Sequence, residues 1–501
     1  MSRRSTVVVG IPSGVVQGIH SVEAFIVRGI GTISLIVACT LGIWTQAAFA
    51  AEADKTSTGP NIVFILADDL GYGELGCYGQ TRIKTPHVDK LAAAGTRFTD
   101  FYAGSTVCAP SRCALMTGFH IGHARVRGNK NVPLEPGDVT VAEVLKQAGY
   151  RTGIFGKWGL GEEGSTGVPN RQGFDQWFGY LNQQHAHNYF PDFLWDNETK
   201  FPISGNVQSG GIASRKEVYS PDLILERALM FLDESPRDKP FFLYFAGTLP
   251  HVNNELTRAT GDGMEIPDYG SYANEAWPKP EKGRAAMITR MDRDVGRILE
   301  KLHACGLDDN TVVFFTSDNG AQQEGGSKSA FFNSTGPLRG IKRDLYEGGI
   351  RVPLLVRWPG KAAAGEVSRH AWAMWDFLPT AAELAGVNPP PGLDGLSMLP
   401  ALLTADAIRT ATRREHDHLY WEFHERGFSQ AVRTGHWKGV RTDVNKPLEL
   451  YDLSHDMGEQ TNVAEKRPEV VARIEGLMKT ARTESPDWPV RANANKKQVV
   501  K

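Results

Sequence analysis

Two short acidic runs stand where an oxygen-liganded cation would need them. Asp68-Asp69 follows the apolar run Asn61 to Ala67, and Ser317-Asp318-Asn319-Gly320 follows a second, Thr311 to Thr316. In open parallel sheets ligands collect beyond the carboxyl ends of the strands, so the two runs converge if their strands lie side by side. Carboxylates and an amide oxygen are hard donors, suited to Ca²⁺ or Mg²⁺ rather than to a soft metal. Taken singly, each pair reads better as a helix cap or a satisfied turn. Cys108-Ala109-Pro110-Ser111-Arg112 is the next centre of interest. Pro110 suits the first turn of a helix, which leaves Cys108 at its N-terminus, where free amides and the helix dipole favour negative charge. A thiolate nucleophile is one reading and a buried structural cysteine the other. A soft thiolate beside a hard cation is a poor match, and an oxygen nucleophile fits that site better. Lys157, His251, Lys342 and Arg351, each taken alone, read as strand-end, loop or solvated charges.

The elements that must position these residues alternate. Asn61 to Ala67, Arg151 to Trp158, Pro240 to Thr248, Thr311 to Thr316 and Pro353 to Trp358 read as buried strands. Helices are predicted from Thr85-Pro86 to Gly95, from Pro110 to Gly118, from the capping box Thr140/Glu143 to Gly149, from Ser220-Pro221 to about Glu234, and from Arg284 to Gly306. Strands alternating with helices predict an α/β fold, a large mixed and mostly parallel sheet sandwiched by helices. Regions 159–215 and 252–283, rich in Gly, Asn, Pro and aromatics, read as long excursions over the active face. After about residue 405 come short strand-like runs, His418 to Phe423, Gln430 to Thr434, Trp437 to Arg441 and Leu448 to Asp452, then a helix from Pro468 to about Arg482. That is a small C-terminal α+β subdomain, followed by a loose polar tail beyond Pro489. The expected organisation is a signal peptide over 1–50, a catalytic domain over 51–405 and the subdomain over 406–501.

Composition bounds the rest. The chain has 501 residues, 22% charged, with a formal net charge of -2, so its bulk surface gives no support for nucleic acid as a partner. The leader carries Arg3, Arg4 and Arg28 ahead of the apolar stretch Gly29 to Trp44. The small-x-small sequence Ala48-Phe49-Ala50 then predicts cleavage and export to the periplasm or exterior without a stable membrane anchor. A lipoprotein signal at Cys39 is one competing reading and an uncleaved anchor another, although the apolar run is short for a span. Cys77, Cys108, Cys113 and Cys305 remain after cleavage, too few for a disulfide scaffold.

The run from Cys108 to Gly118 resembles the maturation signature of type I sulfatases, in which the motif cysteine is oxidised to formylglycine. The resemblance extends from Asn61 to about Glu469 and takes in Asn61 to Gly71, Gly156-Lys157-Trp158, Leu249-Pro250-His251, Ser317 to Gly320, Leu338 to Lys342, Tyr346 to Pro353 and Leu450 to Leu453. It is similar to arylsulfatase A-like and N-acetylgalactosamine-6-sulfatase-like members, and it implies the alkaline phosphatase-like fold. By that resemblance Asp68, Asp69, Asp318 and Asn319 bind Ca²⁺ together with the modified Cys108. Arg112 holds the hydrated aldehyde, Lys157 and Lys342 bind sulfate oxygens, and His251 protonates the leaving alkoxide. One hydroxyl of the aldehyde hydrate attacks sulfur, and loss of the proton from the second expels sulfate. The substrate implied is a sulfated glycan or small molecule, and the biogenesis partner a formylglycine-generating enzyme or radical maturase. A phosphodiester or phosphonate monoester hydrolase of the same superfamily, and a silent protein that binds sulfated glycans, are the alternatives. One departure stands out. The family reads Gly-Lys-Trp-His-Leu-Gly where this chain has Gly159 in place of the histidine, and His185 and His187 are the nearest candidates to replace it. Arg127 and Asn129, after the nucleophile helix, read as braces or as pocket walls.

Overall fold

The computed structural model describes residues 59–403 and 414–491. The leader over 1–50, the boundary at 405/406 and the tail beyond 491 lie outside the described residues. Strand β1 (Asn61–Ala67) is buried on both faces, and its alternate residues feed two separate cores. Val63 and Ile65 pack with the helices Pro86–Ala93, Ser220–Asp233 and Lys279–Ala304, whereas Ile62, Phe64 and Leu66 pack with Cys108–Thr117, Val141–Gln147 and Phe377–Leu384. This period of two is how a strand serves a sheet covered on both faces.

The sheet contains β2 (Thr96–Tyr102), β3 (Arg151–Lys157), β4 (Gln176–Tyr180), β5 (Phe193–Asp196) and β6 (Thr199–Pro202). A separate small hairpin is made by β7 (Val207–Ser209) and β8 (Ile212–Arg215). The main sheet continues with β9 (Phe241–Ala246), β10 (Thr311–Ser317), β11 (Arg351–Arg357), β12 (Glu366–Ser368) and β13 (Trp372–Ala373). Its order is β12-β2-β11-β10-β1-β9-β3-β4-β5-β6, with β13 also paired to β2. The middle, β10-β1-β9-β3-β4, is parallel throughout, while β11 runs antiparallel to both its neighbours and β5 and β6 close the far edge antiparallel. The predicted α/β class and its mostly parallel sheet are therefore present.

Two local differences have simple causes. Region 159–215 is not only an excursion, because β4, β5 and β6 extend the main sheet. These strands have only four or five residues, too short for alternation to separate them from turns. The long helix begins at Lys279 rather than Arg284, with Pro280 in its first turn. The capping box is as predicted: the Thr140 side chain accepts from the Glu143 amide, and Glu143 accepts from the Thr140 amide. The C-terminal residues form an antiparallel sheet, β14 (Leu419–Phe423), β15 (Ser429–Thr434), β16 (Trp437–Arg441) and β17 (Glu449–Asp452), with the helix Pro468–Thr480 packed on it. Their core is shared with Tyr102, Val107 and Ala114, next to the nucleophile helix. Among the described residues no helix is long and apolar enough to cross a membrane.

Candidate active site

The parallel pairing decides where the acids go. Ala67 of β1 lies opposite Ser317 of β10, so Asp68 and Asp318 leave the sheet side by side. The Asp318 amide donates to the Ala67 carbonyl at 3.1 Å, and the Asp69 amide to Asp318 Oδ1 at 3.1 Å. Asp69 adopts a left-handed φ of 68°, which few residues other than glycine take up, and its carboxylate accepts from Lys342 and Asn319. Strand β9 leads to His251 and β3 ends in Lys157. Four adjacent parallel strands thus deliver Asp68, Asp69, Asp318, Asn319, His251 and Lys157 to one edge. The helix Cys108–Thr117 enters from β2, with Cys108 as its first residue, and Lys342 arrives from the segment before β11.

Each carboxylate meets a cation. Lys157 Nζ is 2.8 Å from Asp68, Arg112 Nη2 is 2.9 Å from Asp318, and Lys342 Nζ is 2.7 Å from Asp69. All six groups are buried. Burial works against the charge of Asp68, but Lys157 and Arg112 overcome it and hold its carboxyl far below the ordinary range. For Asp318 burial wins, reinforced by the Asp68 carboxylate, and its carboxyl rises to about 7. Burial opposes the Lys342 ammonium, yet Asp69 raises it above its ordinary value. Burial and the neighbouring Lys342 pull the His251 imidazole down to about 3. Cys108 Sγ lies 3.4 Å from Asp68 Oδ1, and burial pushes its thiol far up, so the sulfur is held as a thiol rather than a thiolate.

The donor set fits a hard cation. Three carboxylates and one amide converge with no exposure to solvent, and Asn319 Oδ1 is a buried oxygen without a hydrogen-bond partner. Ligand atoms of Asp68, Asp69, Cys108 and His251 all fall within 4.8 Å of one another. An orphaned oxygen among carboxylates is the kind of acceptor that Ca²⁺ or Mg²⁺ satisfies.

Above this floor opens a cavity of about 580 Å³. Cys108, His251 and Lys342 line it, while Lys157 and Arg112 lie beneath. Of the two histidines proposed for the missing imidazole, His187 lines the cavity and His185 does not. His187 stacks on His251 with ring centroids 5.1 Å apart and an interplanar angle of 8°, and its Nδ1 is 2.9 Å from Glu255. His185 is wedged between Tyr180 and Phe193. Asn129 accepts from the Ala109 amide at 3.0 Å, and Arg127 bonds Glu422 at 3.0 Å, so both brace the nucleophile helix and its surroundings. Arg351 is tied to Asp100 and Glu347 away from the cavity. Sequence reasoning passed over Gln183, Glu255 and Arg343 in the cavity wall. Arg343 alone carries a local structural peculiarity, a left-handed φ of 77°, which nothing in its residue type signals.

The family model described as Sulfatase matches residues 60–387, and the model for the C-terminal part of N-sulphoglucosamine sulphohydrolase matches residues 341–484. Human N-acetylgalactosamine-6-sulfatase is 33% identical over 429 residues, covering 77% of this chain and 74% of that protein. The N-acetylgalactosamine-6-O-sulfatase of Bacteroides thetaiotaomicron is 30% identical over 507 residues, covering 86% and 94%. Among solved structures, Ps i-CgsB in complex with k-i-k-neocarrahexaose superposes with a TM-score of 0.73 at 29% identity, over 86% of this chain and 95% of that one. Matched in sequence and in fold over most of its length, the chain belongs to the sulfatase family and is a sulfuric ester hydrolase.

Proposed function

We propose that this chain is an exported sulfatase that releases sulfate from a sulfated carbohydrate, using a formylglycine made from Cys108 and a bound Ca²⁺. The observation that carries the reading is Cys108 itself, the first residue of a buried helix, facing hard oxygen donors at the floor of a cavity. Asp68, Asp69, Asp318, Asn319 and residue 108 would hold the cation, which supplies fixed positive charge where the ester's negative charge gathers. Formylglycine supplies an oxygen nucleophile that suits this hard site and can release sulfate by re-forming its aldehyde.

The chain's own residues do the remaining work. Lys157 and Lys342 are pre-set cations for the sulfuryl oxygens and need no reorganisation as charge develops. Arg112, bonded to Asp318 and to the Lys157 carbonyl at 2.6 Å, fixes the floor on which residue 108 stands. His251 Nδ1 lies 2.7 Å from the Val252 carbonyl and donates to it, which leaves Nε2 to accept from Lys342 Nζ at 3.2 Å. With the anionic ester bound beside it, His251 carries the proton on Nε2 and hands it to the leaving alkoxide, while Lys342 keeps its charge and orients the ring. His187, held by Glu255, is the imidazole that stands in for the one absent at Gly159. Asn129, Asn131, Asn182, Gln184 and Asn254 line the wall, donors and acceptors that suit sugar hydroxyls better than an aryl ring. The relatives named as N-acetylgalactosamine-6-sulfatases and the neighbour in complex with k-i-k-neocarrahexaose support a carbohydrate substrate.

The test is the mass of the tryptic peptide Phe98 to Arg112 from protein purified from its native host, followed by sulfate and phosphate release from a panel of glycan esters. An aldehyde or hydrate at residue 108, with sulfate released in preference to phosphate, is expected. Unmodified cysteine throughout would sink the mechanism and favour a silent glycan-binding protein.

A further inference from the structure

Gly159 and Gln183 compete for one place. Gly159 follows β3 by two residues and has a φ of +83°. A Cβ built on it would collide with Gln183 Nε2 and come within 3.9 Å of the Arg112 Cδ. Backbone pairing sets this juxtaposition. The Trp158 amide donates to the Tyr180 carbonyl at 2.9 Å and the Gly159 amide to Leu181 at 3.0 Å, so the segment leading to Gln183 runs beside the end of β3. Gln183 Nε2 is buried and has no hydrogen-bond partner among the described residues. Leaving a buried donor unpaired costs about 1–3 kcal/mol, so its persistence marks a bond that something other than these side chains completes. Gln183 lines the large cavity with Cys108 and also a hollow of about 10 Å³ beside Ala109, Asn129 and Gly159, on the scale of one water.

We propose that Gln183 is the positioning residue for the oxygen carried by mature residue 108: its carboxamide takes the volume left free at Gly159 and donates a hydrogen bond to that oxygen. The inference rests on the conversion of Cys108 proposed above. A carboxamide can donate a hydrogen bond but does not take up a proton near neutral pH. Holding the oxygen and accepting its proton are therefore divided between Gln183 and His187.

The experiment uses the mature full chain, with the converted fraction of residue 108 read by peptide mass in every variant. An aminooxy reagent traps free aldehyde as an oxime with loss of water, so it reports the state of residue 108 without turnover. Gln183→Ala is expected to be trapped at least ~3-fold faster and to lose kcat about tenfold with KM within ~2-fold. Gln183→Met keeps the length without the amide and serves if the alanine variant does not fold. Gly159→Ala, whose Cβ evicts the amide, is expected to match Gln183→Ala, and the double variant to be no worse than either single one. Wild-type trapping and kcat in the Gln183 variants, or losses that add in the double variant, would overturn the inference while leaving the proposed function standing. An unconverted wild type would overturn both.

Discussion

At the scale of single residues, the floor of the cavity is a set of matched opposites. Lys157, Arg112 and Lys342 each hold a buried carboxylate, and removing one partner of such a pair strands the other, at a cost of about 3–5 kcal/mol. Variants there confound chemistry with stability. The cavity wall gives cleaner probes. His187→Ala is expected to lower kcat about 10–100-fold with little change in melting temperature, since this ring is held at the wall by Glu255. His185→Ala empties the space between Tyr180 and Phe193 and is expected to lower the melting temperature while sparing kcat/KM. Sulfate release and thermal melts on both variants decide it; equal losses of turnover would remove the distinction. The acids and Cys108 stood out as short runs of distinctive residue types, whereas Lys157 and Lys342 read alone as ordinary surface charges and entered only through the family resemblance. Gln183 was not legible, because its meaning depends on a glycine that is its neighbour only in space.

At the scale of elements, β3 carries Lys157 to the site through a crowded crossing. Gly156 has a φ of +122°, and a Cβ there would collide with the Ala246 carbonyl of β9. Gly156→Ala is expected to cost at least ~2 kcal/mol in urea unfolding, combining a left-handed backbone with a blocked approach. Gly149→Ala is the control: its φ is +90° but nothing lies near its Cβ, so about 1 kcal/mol of backbone strain is expected. Comparable losses for the two would show that packing against β9 is unimportant. The long apolar strands β1, β9 and β10 could be read from sequence because both faces are buried and the runs are continuous. Strand β2, which alternates buried with partly exposed residues and contains two charges, and the short edge strands take their identity from partners distant in sequence.

At the scale of the whole molecule, the C-terminal sheet is clasped to the segment before β11 by buried charge. Lys438 Nζ lies 2.7 Å from Glu347 and 3.6 Å from Glu459, and Glu459 accepts from the Glu347 amide at 2.7 Å. Burial, then the nearby Glu347 carboxylate, raises the Glu459 carboxyl from its ordinary 4.5 to about 7. Between those values the folded chain holds a proton that the unfolded chain has released. This contribution is complete below pH 4.5 and is lost as the pH rises through about 7. Glu459→Gln keeps the acceptor and removes the titration. From about pH 5 to about pH 8 its melting temperature is expected to rise relative to that of the wild type. Parallel melting curves across that range would exclude Glu459 as the titrating group.

All ten residues of the helix Cys108–Thr117 are buried, between the sheet and the C-terminal core. On the maturation proposed above, this makes activity a matter of timing. If an enzyme converts residue 108, this burial would require it to reach the motif before the layers close over it, which would leave each chain a single interval for conversion. A molecule that folds early is sealed in an inactive form that no later exposure to the enzyme repairs short of unfolding. The yield of active protein from any host is then set by a race between two rates, and slowing folding, rather than hastening it, is the way to raise it.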